Sequence, residues 1–472
     1  MSAPIGRVSM YALGVDLGTT WTAAAVWQDG RAETVALGDR AHTIPSVVFV
    51  EADGRAVAGE AAQRQRSFAP GHAAVEFKRR FGDDVPLLVG GRRFRASELT
   101  SLLLTSVLDV VDGRLGARPS HVVVTVPAGW LDYRHEVMGQ VLRSCGLEEH
   151  QATILPEPVA AAVHYAGLNR VPPGSTTAVY DLGGGTFDAT VVRKTGTGFE
   201  IVGVPQGGAV GGVDMDASLL DRLTRELGPA WSGLDHDDPA TRRALVQLQH
   251  EITQGKEALS SSPNARIPVV LPGGLHEVQV SRAQLESDVR PLVTHSIDVL
   301  ALAISDAGLN AGDLDRILLV GGASRMPIVR RMLEERLPAP VAIDEHPKYA
   351  VCLGAAIAAG SRLQGAGIDW SRGRKGSVRA QPVPVGVAGD DLATPAAVDV
   401  DLAASGLTGS ADVPLRPAVS LGRPSVRNPN PAMTIQLGAD EEYRTARRRG
   451  VGIGVSLLVV LALVALLLWT RR

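Results

Sequence analysis

The chain has 472 residues, 45% hydrophobic and 21% charged, with a formal net charge of −3. This composition describes a globular protein of more than one domain. It excludes disordered, collagen-like and strongly basic classes, so no nucleic-acid partner is expected. The only cysteines, Cys145 and Cys352, exclude a disulfide framework and a Cys₄ zinc cluster and suit a reducing compartment.

The N-terminal stretch MSAPIGRVSM carries no apolar run of a secretory signal. Residues 11–364 then alternate short apolar runs with helical periodicity, which predicts an α/β domain. Gly14-Val15-Asp16-Leu17-Gly18-Thr19-Thr20, followed by the apolar run to Val26, reads as strand, Gly-Thr turn, strand. Val179-Tyr180-Asp181-Leu182-Gly183-Gly184-Gly185-Thr186, followed by the run to Val192, repeats it. Two such hairpins imply two similar halves, lobe I at about 11–172 and lobe II at about 175–364. A cleft between such halves is a usual place for a ligand.

Glycines at the hairpin tips permit positive φ and close approach of backbone to a ligand. Consecutive N–H groups there can form an anion-binding nest, and Thr19, Thr20 and Thr186 add hydroxyl donors. Asp16 and Asp181, however, are anions in the same place. A carboxylate facing a phosphate needs a cation between them, and Mg²⁺ is commonly held by one or two carboxylates plus waters and phosphate oxygens. The pattern therefore predicts a Mg-nucleotide clamp. Ile317–Val320 followed by Gly321-Gly322 and then Pro327 predicts a buried strand, a glycine turn and a helix opened by proline. It lacks the G-x-G-x-x-G of a dinucleotide site. Gly354-Ala355-Ala356 reads as close helix packing. Taken alone, Lys78 beside Arg79 and Arg80 reads as a solvated basic face, and Glu157 between two prolines as a helix cap.

Beyond residue 364 the character changes. Residues 365–450 hold eight prolines between Pro382 and Pro431 and no aromatic between Trp370 and Tyr443, which predicts a disordered linker. A coil of about 85 residues has an r.m.s. span of roughly 50 Å. Val451–Trp469 is an uncharged apolar run. At about 1.5 Å per residue it would span roughly 28 Å, close to the hydrocarbon thickness of a bilayer. Arg444, Arg447, Arg448 and Arg449 precede it and Arg471 and Arg472 follow, so the expectation is a tail-anchored transmembrane helix with the large N-terminal part facing the cytoplasm.

Taken together, the motifs resemble the ATPase domain of the 70-kDa heat-shock (DnaK-type) chaperones. Asp16–Thr20 resembles the first phosphate motif, Phe77–Arg80 the segment bearing the catalytic lysine, and Val124–Ala128 and Ile154–Ala162 the connecting motifs. Asp181–Asp188 resembles the second phosphate motif, and Gly211–Asp216 and Leu319–Pro327 the later nucleotide motifs. The resemblance covers residues 11 to about 364. It implies an actin-like two-lobed ATPase of duplicated ribonuclease-H-like halves, binding ATP/ADP with Mg²⁺ and K⁺.

Carried over by position, Asp16 and Asp181 would hold Mg²⁺ through water, and Lys78 would lie by the γ-phosphate. Glu157 and Asp188 would orient water or metal, with Thr186 beside them. Gly18, Thr19, Thr20, Gly183, Gly184, Gly185, Gly211, Gly212, Gly321 and Gly322 would cradle the nucleotide, and Lys256, Ser260 and Arg325 would contact the nucleoside. Val213, Thr253, Glu257, Ala323 and Lys348 depart from the family pattern on the nucleoside side. The implied partners are a J-domain protein or a nucleotide-exchange factor. No leucine-rich linker or run of evenly spaced strands follows Arg362, so a peptide-binding domain of the usual kind is not expected. The rival readings are an ATP-binding membrane scaffold with little hydrolysis, a sugar or acetate kinase, and a filament-forming actin relative.

Overall fold

The computed structural model describes residues 10–372, apart from 40, 170, 345, 366 and 367. The expected span Val451–Trp469 and nearly all of the expected linker lie outside the described residues. Among the described residues, no helix is long and apolar enough to cross a membrane.

Two mixed sheets carry the fold. In the first, the order is Ala152–Pro156, His121–Val126, Ala12–Leu17, Trp21–Gln28, Arg31–Thr34, with Thr43–Pro45 also pairing on Trp21–Gln28. The first three strands are parallel and the next two antiparallel. In the second, Val341–Ile343, Arg316–Val320, Thr176–Leu182, Phe187–Lys194 and Gly198–Gly208 repeat the same order and directions. The duplication seen in the hairpins thus extends to whole sheets. The central parallel strands are largely buried on both faces, all six residues of His121–Val126 and four of the five in Arg316–Val320 among them, as strands covered by helices on either side must be.

Two helices lie between the sheets. Glu157–Leu168 is buried from Glu157 to His164, and Ala350–Leu363 is buried over most of its length. They pack in one core with Val123, Leu155, Val179, Val192, Leu318 and Val320. Their small residues permit this proximity. A Cβ added at Gly354 would overlap the carbonyl oxygen of Ala160, and one at Gly14 would overlap the backbone nitrogen of Ala356. The close-packing reading of Gly354-Ala355-Ala356 agrees with these contacts. The lobe boundary needs correction, however. Ala350–Leu363 falls in the expected second lobe by sequence but lies on the first sheet, against Ala12–Leu17, Trp21–Gln28 and His121–Val126.

The second sheet also continues past the expected domain end. Asp369–Arg372 adds a sixth strand, parallel to Gly198–Gly208, where the linker was expected from 365. A four-residue edge strand is defined by the free edge it pairs with rather than by its own periodicity, so nothing in the local pattern announces it. Ile368 packs against the central core just before it.

Candidate active site

The two hairpin tips meet at the base of a cavity of about 290 Å³. Asp16 and Asp181 occupy equivalent stations, the penultimate residue of Ala12–Leu17 and of Thr176–Leu182. A Cβ at Gly184 would strike Thr20, and one at Gly185 would strike Thr19. The glycines are therefore needed for space. None of Gly18, Gly183, Gly184 and Gly185 has positive φ, contrary to the conformational reason expected from sequence. Gly321 is the residue that does need it: its φ is 83°, and a Cβ there would meet the Asp181 carboxylate and the Leu182 carbonyl. Ser46 braces the first tip, its hydroxyl donating to the Gly18 carbonyl at 2.7 Å. The second tip is backed by Gly212 and Val213, whose N–H groups donate to Gly183 and Gly184 at 3.0 and 2.8 Å.

Lys78 sits on the short 3₁₀ turn Phe77–Arg80. Phe77 and Phe81 are buried in the first lobe, where Phe81 stacks on Trp130 at 4.6 Å between centroids. These anchors leave Lys78 and Arg79 facing the cleft. Lys78 Nζ donates to Glu157 Oε1 at 2.7 Å, both side chains nearly buried. Glu157 is indeed the first residue of its helix, but its carboxylate pairs with Lys78 as well as sitting in the first turn.

Asp188 lies directly opposite Asp181 in the second hairpin. Four carboxylates, Glu157 and Asp188 buried and Asp16 and Asp181 half-buried in the cavity lining, thus act on one another, with Lys78 the cation that acts on the three aspartates. Burial, then the charge of Glu157, raises Asp16 and Asp188 to about 7 against the pull of Lys78. Asp181 is pushed well above the usual carboxylate range by burial and by Glu157, Asp188 and Asp16. Burial alone would lower Lys78, but Glu157, Asp16 and Asp188 outweigh it and raise its pKa.

Such a site favours a further cation. Among the described residues no group of three or more His, Cys, Asp or Glu side chains forms a direct metal cage. The donor set itself suits Mg²⁺: Asp16 and Asp181 both line the cavity and would hold the ion through water, since Mg²⁺ keeps most of its water and takes few protein ligands. When bound, it would offset the charge of phosphates brought against these carboxylates.

Beyond the tips, the second lobe lines the cavity with one face of helix Pro239–Ser261. Val246, Gln249, His250, Thr253, Lys256, Glu257 and Ser260 recur at helical spacing. Lys256 is buried and donates to the Gly212 carbonyl at 2.7 Å while pairing with Asp216 at 2.8 Å. Thr253 donates to the other oxygen of Asp216 at 3.0 Å. Of the expected site residues, Asp16, Gly18, Thr19, Thr20, Lys78, Glu157, Asp181, Gly183, Gly184, Thr186, Gly212, Lys256, Ser260, Gly321 and Gly322 line this cavity. Asp188, Gly185 and Gly211 stand just behind its wall, and Arg325 is exposed outside the lining.

Several residues escaped the sequence reading. Arg79, read as part of a solvated face, crosses to the other lobe. Its Nε donates to the Gly185 carbonyl at 2.8 Å and a terminal nitrogen to Asp214 Oδ2 at 2.7 Å. Arg66 makes a second crossing, donating to Gln249 at 2.5 Å. The helical spacing of 249, 253, 256 and 260 was available as a signal for the nucleoside-side face. Nothing local marks Ser46 or Arg79.

Comparison with known proteins agrees with this architecture. The Hsp70 protein family model matches residues 12–87 and 83–367. The chain is 32% identical over 362 residues to the protein named Chaperone protein DnaK of Elusimicrobium minutum (strain Pei191), an alignment covering 74% of this chain and 57% of that protein. The chain thus spans little more than half the length of this curated relative. A family match over most of the chain, on a duplicated two-sheet fold with paired aspartates at the hairpin tips, shows that the chain belongs to the Hsp70 family.

Proposed function

We propose that the chain binds Mg-ATP between its two lobes and slowly hydrolyses it to ADP and phosphate, using the nucleotide state to switch lobe closure for a protein partner. The observation that carries this reading is the cluster at the meeting hairpin tips: four carboxylates around Lys78 at the cavity lining, with glycine loops and threonines beside them. Phosphoryl transfer depends chiefly on positioning and charge stabilisation, and this cluster supplies charged groups held in place at the hairpin tips. Lys78 would stabilise charge on the transferred phosphoryl group. Glu157, held by Lys78, would orient the attacking water, with Asp188 and Thr186 beside it. K⁺ is a fitting companion ion for a site this anionic.

The relative's name supports a chaperone-like role, and membership of the Hsp70 family makes a J-domain protein or an exchange factor the partner class we favour. The Pro-rich composition of 365–450 and the uncharged run Val451–Trp469 support tethering to a membrane with the ATPase domain on the cytoplasmic side. The alternative of an ATP-binding scaffold with little turnover draws on the nucleoside side, where Thr253 is engaged with Asp216 and Glu257 with Lys348.

Calorimetric titration of the full chain with ATP, in Mg²⁺ and in EDTA, tests the binding step. Affinity should fall at least tenfold in EDTA for wild type and should be nearly indifferent to EDTA in Asp181→Asn. Equal affinities for wild type in both buffers would remove the cation bridge from the account.

A further inference from the structure

The two charged departures on the nucleoside side face each other. Glu257 lies on helix Pro239–Ser261, and Lys348 lies in the loop between strand Val341–Ile343 and helix Ala350–Leu363. Lys348 Nζ donates to Glu257 Oε1 at 3.3 Å. Both line the cavity that holds the paired aspartates. The stem of Lys348 passes over the glycine turn, its Cε within 3.8 Å of where a Cβ of Gly322 would stand. Lys256 and Asp216 are buried inside this cavity, whereas the Lys348 and Glu257 side chains are 34% and 54% exposed. The pair therefore lies at the mouth and the Lys256–Asp216 pair lies within. Two elements far apart in sequence that both line the cavity are joined there by a bond between flexible side chains.

We propose that the Lys348–Glu257 ion pair is a latch across the nucleoside end of the cavity, which slows release of a purine nucleotide without contacting its phosphates. The inference rests on the reading of the cavity as a nucleotide site. It assigns to these residues a role in retention. An exposed ion pair is weak and is screened by salt. Its rupture should therefore speed release by about two- to fivefold, not by orders of magnitude. The other charged or titratable groups facing the pair from the lining are His250, about two turns before Glu257 on the same helix, Lys256, which is already held by Asp216 and Gly212, and Asp216, a carboxylate that feels the charge of Glu257 and is engaged by Lys256 and Thr253. None of these replaces Lys348 in reaching Glu257.

The test follows tritiated ADP leaving the Mg²⁺-loaded full chain after a chase with unlabelled ADP, measured by filter retention. Lys348→Met and Glu257→Gln should each release ADP about two- to fivefold faster than wild type. The exchanged double variant Glu257→Lys/Lys348→Glu should return close to the wild-type rate. Raising salt from 0.05 to 0.5 M should speed release from wild type and from the exchanged variant, and leave the single variants nearly unchanged. Release rates unaltered in both single variants, or fast release that the exchange does not correct, would overturn the latch. Failure of wild type to retain any ADP would instead overturn the nucleotide reading beneath it, so the two failures are distinguishable.

Discussion

Arg79 offers a direct way to perturb lobe closure. It belongs to the first lobe, and both of its acceptors, Gly185 and Asp214, belong to the second. The Arg79 and Asp214 side chains are 22% and 31% exposed, between the fully buried and fully exposed cases. Charge-assisted hydrogen bonds contribute about 1.5–3 kcal/mol each when well buried, and exposed ion pairs about 0–1 kcal/mol. At this partial exposure the two bonds together should be worth about 2 kcal/mol. Arg79→Ala leaves no carboxylate stranded, because Asp214 also accepts from the Gly211 N–H at 2.7 Å and Glu76, which pairs with Arg79 at 3.6 Å within the first lobe, is partly exposed to water. The loss should therefore appear mainly as a weaker closed state, roughly ten- to thirtyfold in the closed-to-open ratio. Stopped-flow release of a fluorescent ADP analogue reads this ratio, and the rate should rise by about tenfold. Arg79→Lys keeps the charge but loses the planar fork, and should recover less than half of the effect. A release rate within twofold of wild type for Arg79→Ala would show that these contacts do not hold the lobes together.

Two further outcomes follow from packing and charge. Gly354→Ala should destabilise the fold by about 2 kcal/mol in urea denaturation, because the added methyl overlaps the Ala160 carbonyl and overpacking outweighs the roughly 1 kcal/mol that alanine gains over glycine in a helix. A stabilised Gly354→Ala protein would mean that the two central helices are not in contact. The second outcome concerns pH. The aspartate pKa values are raised above their unfolded value of 3.8, to about 7 for Asp16 and Asp188, so the cluster's stabilising contribution is full below 3.8 and is lost as pH rises through about 7. In EDTA the melting temperature should therefore be lower at pH 8 than at pH 6, Mg-ADP should restore more at pH 8, and Asp188→Asn should flatten the EDTA profile. A nucleotide-free protein equally stable at both pH values would contradict the buried cluster.

The legible parts of the fold were those written in local pattern. Each hairpin carried its own signature, strand, Gly-Thr turn, strand, and Pro327 opens its helix where the proline rule places it. The small residues around Gly354 also announced close packing. What escaped depends on partners distant in sequence. Ala350–Leu363 sits on the first sheet because its glycine and alanine face fits Gly14 and Trp27, residues more than three hundred positions away. Asp369–Arg372 is a strand because Gly198–Gly208 presents a free edge. The tip glycines were recognised for a conformational reason, whereas the structure uses them for clearance against Thr19 and Thr20. Arg79 and Lys78 are neighbours of the same charge, and only the fold separates the one that bridges the lobes from the one that meets Glu157.

Single-turnover hydrolysis of radiolabelled ATP by the full chain, in Mg²⁺ and K⁺, tests the central claim most directly when run beside Lys78→Ala. Wild type should convert bound ATP to ADP, while Lys78→Ala should bind ATP and convert it about a hundredfold more slowly or worse, as expected for loss of a fixed charge at the transferred group. Wild type that binds ATP yet converts it no faster than Lys78→Ala would contradict the hydrolytic role of the Lys78–Glu157 pair and leave the scaffold reading in its place.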